Sequence, residues 1–151
     1  MDTIIFKKFD YIIYTDGACL GNPGPGGWAA IILERNEKKE LSGSEKNTTN
    51  NRMELSAIIE AMSSFQKKKN LKIVTDSKYV IDGINLWLKR WKSNDWKTSA
   101  KKPVKNKDLW MKLDDLINEH SVELEWVKGH SGDKFNEEVD SLAREKANSL
   151  N

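Results

Sequence analysis

Residues 10–32, "DYIIYTDGACLGNPGPGGWAAII", decide how the chain is read. Two largely apolar runs, 10–20 and 27–35, flank "GNPGPGG", whose glycines and prolines form turns and leave the backbone amides little obstructed. The first run reads as a core strand with one residue out of place. Side chains alternate between the faces of a strand, so Asp16 shares a face with Ile12, Tyr14 and Ala18. A lone ionised carboxylate is costly to bury there. Either this face opens onto solvent, or something positive comes to meet it.

Outward from this stretch, a third strand fits residues 39–44, and three strands with short turns predict an antiparallel meander. From Arg52 the period changes. Leu55, Ile58, Ile59, Met62 and Phe65 recur at helical spacing, with Thr48, Thr49 and Asn50 upstream as N-cap side chains. "LKIVTD" at 71–76 is a short buried strand, followed by a helix over 77–88. A helix over 109–117, the strand "VELEWV" at 122–127 and a terminal helix marked by Val139, Leu142, Ala143, Ala147 and Leu150 complete the order. It predicts a mixed α/β sheet flanked by helices, with no repeat or linker.

A length of 151 residues suits one domain. No run approaches the roughly 18–20 apolar residues that span a bilayer, and the N-terminus lacks a signal-peptide pattern, so a cytoplasmic protein without a membrane partner is expected. The single cysteine, Cys19, excludes an internal disulfide. With only two histidines it cannot build a Cys/His zinc site, which leaves oxygen to hold any metal. The net charge of +2 conceals a segregation: Lys89, Arg90, Lys92, Lys97, Lys101, Lys102, Lys105 and Lys107 stand against Asp95 alone.

Four acids occupy positions facing or bordering the core. Asp16 and Asp76 lie on strands, Asp76 at a carboxyl end where open α/β sheets place ligands. Glu54 and Asp140 flank the buried stripes of their helices. Each has a plain alternative: a helix acid is commonly a solvated charge, and Asp76 can serve as an N-cap. If the four converge, their repulsion calls for a divalent cation, and hard oxygen donors select Mg²⁺ or Mn²⁺.

"YTDGACLGNPGPGGWAAII", "TTNNRMEL", "VTDSKYV", "WKTSAKKPVKNKDLW" and "WVKGHSGDKFNEEVDSLA" together resemble bacterial ribonuclease H of type 1, in the right order and over almost the whole chain. The resemblance implies a ribonuclease H-like fold with a five-stranded mixed sheet, three antiparallel strands then parallel ones, in a single domain over 1–151 with a basic protrusion at about 86–107. It implies that Asp16, Glu54, Asp76 and Asp140 bind metal and catalyse. The reaction implied is hydrolysis of the RNA strand of an RNA–DNA hybrid by two Mg²⁺ ions roughly 4 Å apart, with Mn²⁺ as a substitute, leaving 5′-phosphate and 3′-hydroxyl products. His130, in "KGHSGD", matches a residue that assists water positioning, proton transfer or product release; without the resemblance it reads as a surface loop residue. His120 matches no motif and reads as structural, and Cys19 as a small packing residue.

Telling RNA from DNA requires contact with 2′-hydroxyls, and asparagine amides both donate and accept. By resemblance Asn22, Asn50 and Asn51 contact the RNA strand; the plain reading makes Asn22 a turn residue and the other two a helix start. Lys78 stands where the best-known bacterial members have glutamine and is expected to reach an RNA phosphate. Thr49, Trp91, Ser99 and Asn106 match DNA-contacting positions, and Lys101 and Lys102 join them in a segment that interleaves indoles with cations. A charged helix with buried tryptophans is the alternative for any one of these residues. No hybrid-binding domain is expected ahead of residue 10, and a monomer is expected. Rival functions are a catalytically silent nucleic-acid-binding module and a ribonuclease domain cut from a reverse transcriptase polyprotein. Four intact acids speak against the first, the Met1 start and intact basic segment against the second.

Overall fold

The structure, a computed structural model, describes residues 8–150; residues 1–7 and Asn151 of the expected 1–151 span lie outside it. Five strands form one sheet: β1 Tyr11–Cys19, β2 Gly24–Leu33, β3 Lys38–Thr48, β4 Asn70–Thr75 and β5 Ser121–Trp126, in the order β3-β2-β1-β4-β5. The β1–β2 and β2–β3 pairs are antiparallel, and β1–β4 and β4–β5 are parallel. This is the mixed sheet that the sequence predicts. The helices are α1 Asn50–Ser63, α2 Lys78–Asp82, a π-helical turn Gly83–Trp87, α3 Leu88–Ser93, α4 Lys107–Glu119 and α5 Lys134–Asn148.

Burial on both faces explains the continuous apolar run of β2. Ala30 and Ile32 face a core shared with Ile13, Ile73 and the α1 residues Leu55, Ile58 and Met62. Ala29, Ile31 and Leu33 face a second core with Ile12, Val74, Val139 and Ala143. α5 therefore covers the face that carries Asp16, and α1 covers the other. α1 is buried nearly all round, because β1 and β2 lie on one side and α4 on the other.

β3 runs well past the expected 39–44. It is an edge strand with few buried residues, so hydrophobic alternation does not mark its ends, and its lysines and glutamates guard an open edge. The expected helix over 77–88 is instead interrupted by the π-helical turn. A β-carbon on Gly83 would stand 2.0 Å from the Trp110 ring, so α4 packs against the backbone at the point where the helix widens into its i→i+5 turn.

Candidate active site

The parallel register of β1 and β4 ends at Thr15 opposite Thr75, which sets Asp16 and Asp76 side by side one step further, at the carboxyl end of β4. Glu54 arrives from α1. A β-carbon on Gly17 would lie 2.4 Å from the Glu54 amide nitrogen, so only glycine after Asp16 lets the helix backbone settle on the strand. One oxygen each from Asp16, Glu54 and Asp76 then fall within 4.8 Å of one another. Asp16 and Glu54 are buried and Asp76 is half-buried.

Burial raises all three carboxyl groups, and their mutual repulsion adds to it. Asp16 is pushed up to about 7, with Asp76 contributing, while a hydrogen bond from Glu54 and the Gly17 amide at 2.9 Å oppose the rise. Glu54 is raised by burial and then by Asp16. Asp76 is raised by burial and by Asp140, against a hydrogen bond from Asn136, which sits 2 % exposed in the first turn of α5. Burial and the crowding of acids both favour the protonated form of the Asp16 and Glu54 carboxyl groups. Glu54 Oε2 is buried with no partner among the described residues. An orphaned carboxylate oxygen inside a set of hard oxygen donors fits a divalent cation.

Asp140 is brought to the rim and stays outside the three-oxygen group. It lies within hydrogen-bonding reach of Asp16 and repels Asp76, while Oδ2 pairs with Arg144 one turn along α5 at 3.0 Å. Exposed His130 rides the loop between β5 and α5 with a left-handed backbone, φ 57°. This loop lies against the cluster: a β-carbon on Gly129 would stand 3.0 Å from Asp76 Oδ2.

At the other side of the cluster, the "GNPG" loop closes on the start of α1. The Asn50 amide donates to Asn22 Oδ1 at 2.9 Å, and the Cys19 thiol lies 3.3 Å from the Thr48 carbonyl and 3.4 Å from that of Gly24. Asn50 and Asn51 open α1, so the plain structural roles of these asparagines are real. Asn51 remains exposed. Thr49 is the N-cap, its hydroxyl accepting from the Arg52 amide at 3.3 Å.

Arg52, absent from the sequence-derived set, grips Asp108 through two bonds of 3.0 and 2.8 Å and donates to Asn106 Oδ1 at 3.3 Å. This contact holds Asp108 below the usual carboxylate range. Asn106, left-handed at φ 61°, donates to the Tyr79 hydroxyl, which also accepts from Trp110 Nε1 at 2.9 Å. Thr49 and Asn106, expected on the DNA strand, thus meet through Arg52. Trp91 is half-buried in a stack with Trp87 and Trp110, at centroid distances of 5.8 and 5.3 Å, so most of the indole surface expected to face nucleic acid packs inside the protein. Ser99, Lys101 and Lys102 are exposed on a turn closed by the Thr98 amide donating to the Lys102 carbonyl at 2.7 Å. Lys78 opens α2 with its ammonium over the Trp126 ring. His120 is buried, its Nδ1 accepting from the Lys69 amide at 3.0 Å, as a structural residue should be.

A family model described as RNase H matches residues 8–148. The chain is 57 % identical over 140 residues to ribonuclease H of Francisella philomiragia subsp. philomiragia, covering 93 % of this chain and 92 % of the relative. It is 59 % identical over 140 residues to the ribonuclease H of Francisella tularensis subsp. novicida, covering 92 % of each. Among solved structures, a type 1 RNase H described as carrying the type 2 active-site motif, LC9-RNase H1, superposes with a TM-score of 0.84 at 32 % identity, covering 93 % of this chain and 73 % of that one. LC11-RNase H1, solved in complex with RNA/DNA hybrid, shares the fold with a TM-score of 0.71 at 23 % identity, covering 92 % and 97 %. Divalent-metal dependence is general in this family. The chain belongs to the ribonuclease H family and is a nuclease that hydrolyses RNA.

Proposed function

We propose that this protein cuts the RNA strand of RNA–DNA hybrids, leaving 5′-phosphate and 3′-hydroxyl ends. The observation that carries the reading is the group of three carboxylate oxygens within 4.8 Å at the end of the parallel strands, one of them from Glu54, whose buried Oε2 has no partner among the described residues. Asp16, Glu54 and Asp76 hold Mg²⁺, or Mn²⁺ in its place, with Asp140 as the fourth acid once it leaves Arg144. Two such ions supply a polarised water and charge stabilisation at the leaving 3′ oxygen. The carboxylates fix position and keep their negative charge in a site where burial alone would protonate them. His130, on the adjoining loop, moves a proton or frees the product.

The substrate lies between two arrays of side chains. Asn22, Asn50, Asn51 and Lys78 meet the RNA strand, their amides reading 2′-hydroxyls. Thr49, Asn106, Trp91, Ser99, Lys101 and Lys102 meet the DNA strand. Thr49 does so at the N-terminus of α1, where the helix dipole favours a phosphate. The protein acts as one domain with a basic protrusion at about 86–107, as a cytoplasmic monomer. Among the described residues, no helix is long and apolar enough to cross a membrane. The hybrid complex of LC11-RNase H1 supports this reading through the shared fold.

The test is a labelled RNA–DNA hybrid incubated with the protein and Mg²⁺, with and without excess EDTA, beside Asp16→Asn. Cleavage that needs metal and vanishes in the variant is the expected result. Binding of the hybrid with no cleavage under any metal would support the silent module instead.

A further inference from the structure

Trp126 ends β5 opposite Thr75, and this register sets its indole beside Asp76. Its Nε1 donates to the Asp76 backbone carbonyl at 3.0 Å. The residue is nevertheless 41 % exposed, one of the few large apolar side chains left open to water. Lys78 Nζ stands 4.6 Å from the centre of its ring. Among the described residues, no carboxylate lies within 4.0 Å of that ammonium, although three acids gather close by.

A lysine that pairs with a carboxylate is neutralised, whereas one resting on an aromatic face is oriented and keeps its charge. An exposed ammonium in that state is a point-charge ligand for phosphate. We propose that Trp126 is a positioning residue with two tasks: its ring holds Lys78 against a phosphate of the RNA strand, and its N–H anchors the backbone that carries Asp76. The inference rests on the hybrid-cleavage reading and adds the side chain that sets its RNA-strand cation. The chain has lysine at 78, so the contact is electrostatic and independent of base or sugar identity.

Lys78→Met, Trp126→Phe, Trp126→Leu and the double variant Lys78→Met/Trp126→Leu separate the two tasks. Cleavage of a labelled hybrid is followed for kcat and KM from 50 to 200 mM salt, with circular dichroism to verify folding. Lys78→Met raises KM roughly 3- to 10-fold and flattens the log–log salt slope by about 0.7–0.9, the share of one phosphate contact, while kcat moves less. Trp126→Phe keeps the platform, so its KM and salt slope match the wild type, and loss of the N–H lowers kcat roughly 3- to 10-fold. Trp126→Leu shows both effects, and its KM effect shrinks below about twofold in the Lys78→Met background because the cation it held is gone.

An unchanged salt slope in Lys78→Met, a flattened slope in Trp126→Phe, or additive KM effects in the double variant would each overturn the inference. If Trp126→Leu does not fold, the first two comparisons still decide. A wild-type protein that leaves the hybrid uncut sinks the hybrid-cleavage reading itself. A wild type that cuts while Lys78→Met keeps its slope sinks only the assignment to Trp126 and Lys78.

Discussion

The carboxylate end of the sheet and the basic flank over 89–107 both concentrate one sign of charge, yet they are held by different means. Asp16 and Asp76 are set by strand register and Glu54 by a helix pressed onto Gly17, so three carboxyl groups are held together although repulsion between their charged forms opposes it. The lysines of the flank are exposed on a short helix and a turn, and its order comes from the aromatic stack of Trp87, Trp91 and Trp110 beneath them. The first region spends folding energy on geometry, which chemistry on a single phosphate requires. On the proposed hybrid-cleavage reading, the position of any one cation in the second matters little, because a polyanion is met by the summed field.

If that contrast is right, substitutions at the two ends differ in kind as well as in size. The largest effect is on turnover. Asp16→Asn or Asp76→Asn lowers kcat for hybrid cleavage at saturating Mg²⁺ by about 10³-fold or more, several kcal/mol of transition-state stabilisation, with hybrid binding in EDTA retained. Turnover within tenfold of wild type would mean the acids are not held for chemistry.

Next is the joint between the two regions. Gly83→Ala drives a methyl into the Trp110 ring and destabilises the protein by about 2–3 kcal/mol in urea melts. A neutral result would show that the flank is only loosely attached to the core.

The third effect is a stability that depends on pH. With Asp16 raised to about 7, the folded protein binds a proton more tightly than the unfolded chain, whose aspartate titrates near ~3.9. That contribution is full below about pH 4 and is lost as pH rises through about 7. In EDTA the advantage of Asp16→Asn over wild type therefore grows from pH 5 to pH 8, reaching about 1–3 kcal/mol in thermal or urea melts, and Mg²⁺ erases it at pH 8. A difference independent of pH would sever the link between burial and repulsion.

The smallest effect belongs to the flank. Lys101→Ala and Lys102→Ala together raise KM about 3- to 10-fold and reduce the salt slope by about one to two, with kcat and melting temperature nearly unchanged. A fall in kcat without a change in slope would give the flank a role in geometry after all.

Asp16 was legible as an anomaly because a period of two puts it on an apolar face, and Asp76 because it ends a short buried strand. Glu54 was harder: its helix position made it a border residue, and only packing between the sheet and α4 makes it fully buried. Spacing places Asp140 beside the buried stripe of its helix, but its pairing with Arg144 is a side-chain choice that spacing does not encode. Arg52, Tyr79 and Trp126 went unread because each acts through a partner more than 25 residues away, Asp108, Trp110 and Asp76 respectively.

Local pattern by itself determined the strand and helix order, the charge segregation, the exclusion of an internal disulfide and of a Cys/His zinc site, and the four acids worth watching. These follow from periodicity and composition, which each residue carries with it. Tertiary structure alone decided how close the acids come, which oxygen is left without a partner, and where the indoles point. Those are properties of pairs brought together across the sheet, and a distance between distant residues exists only once the chain has folded.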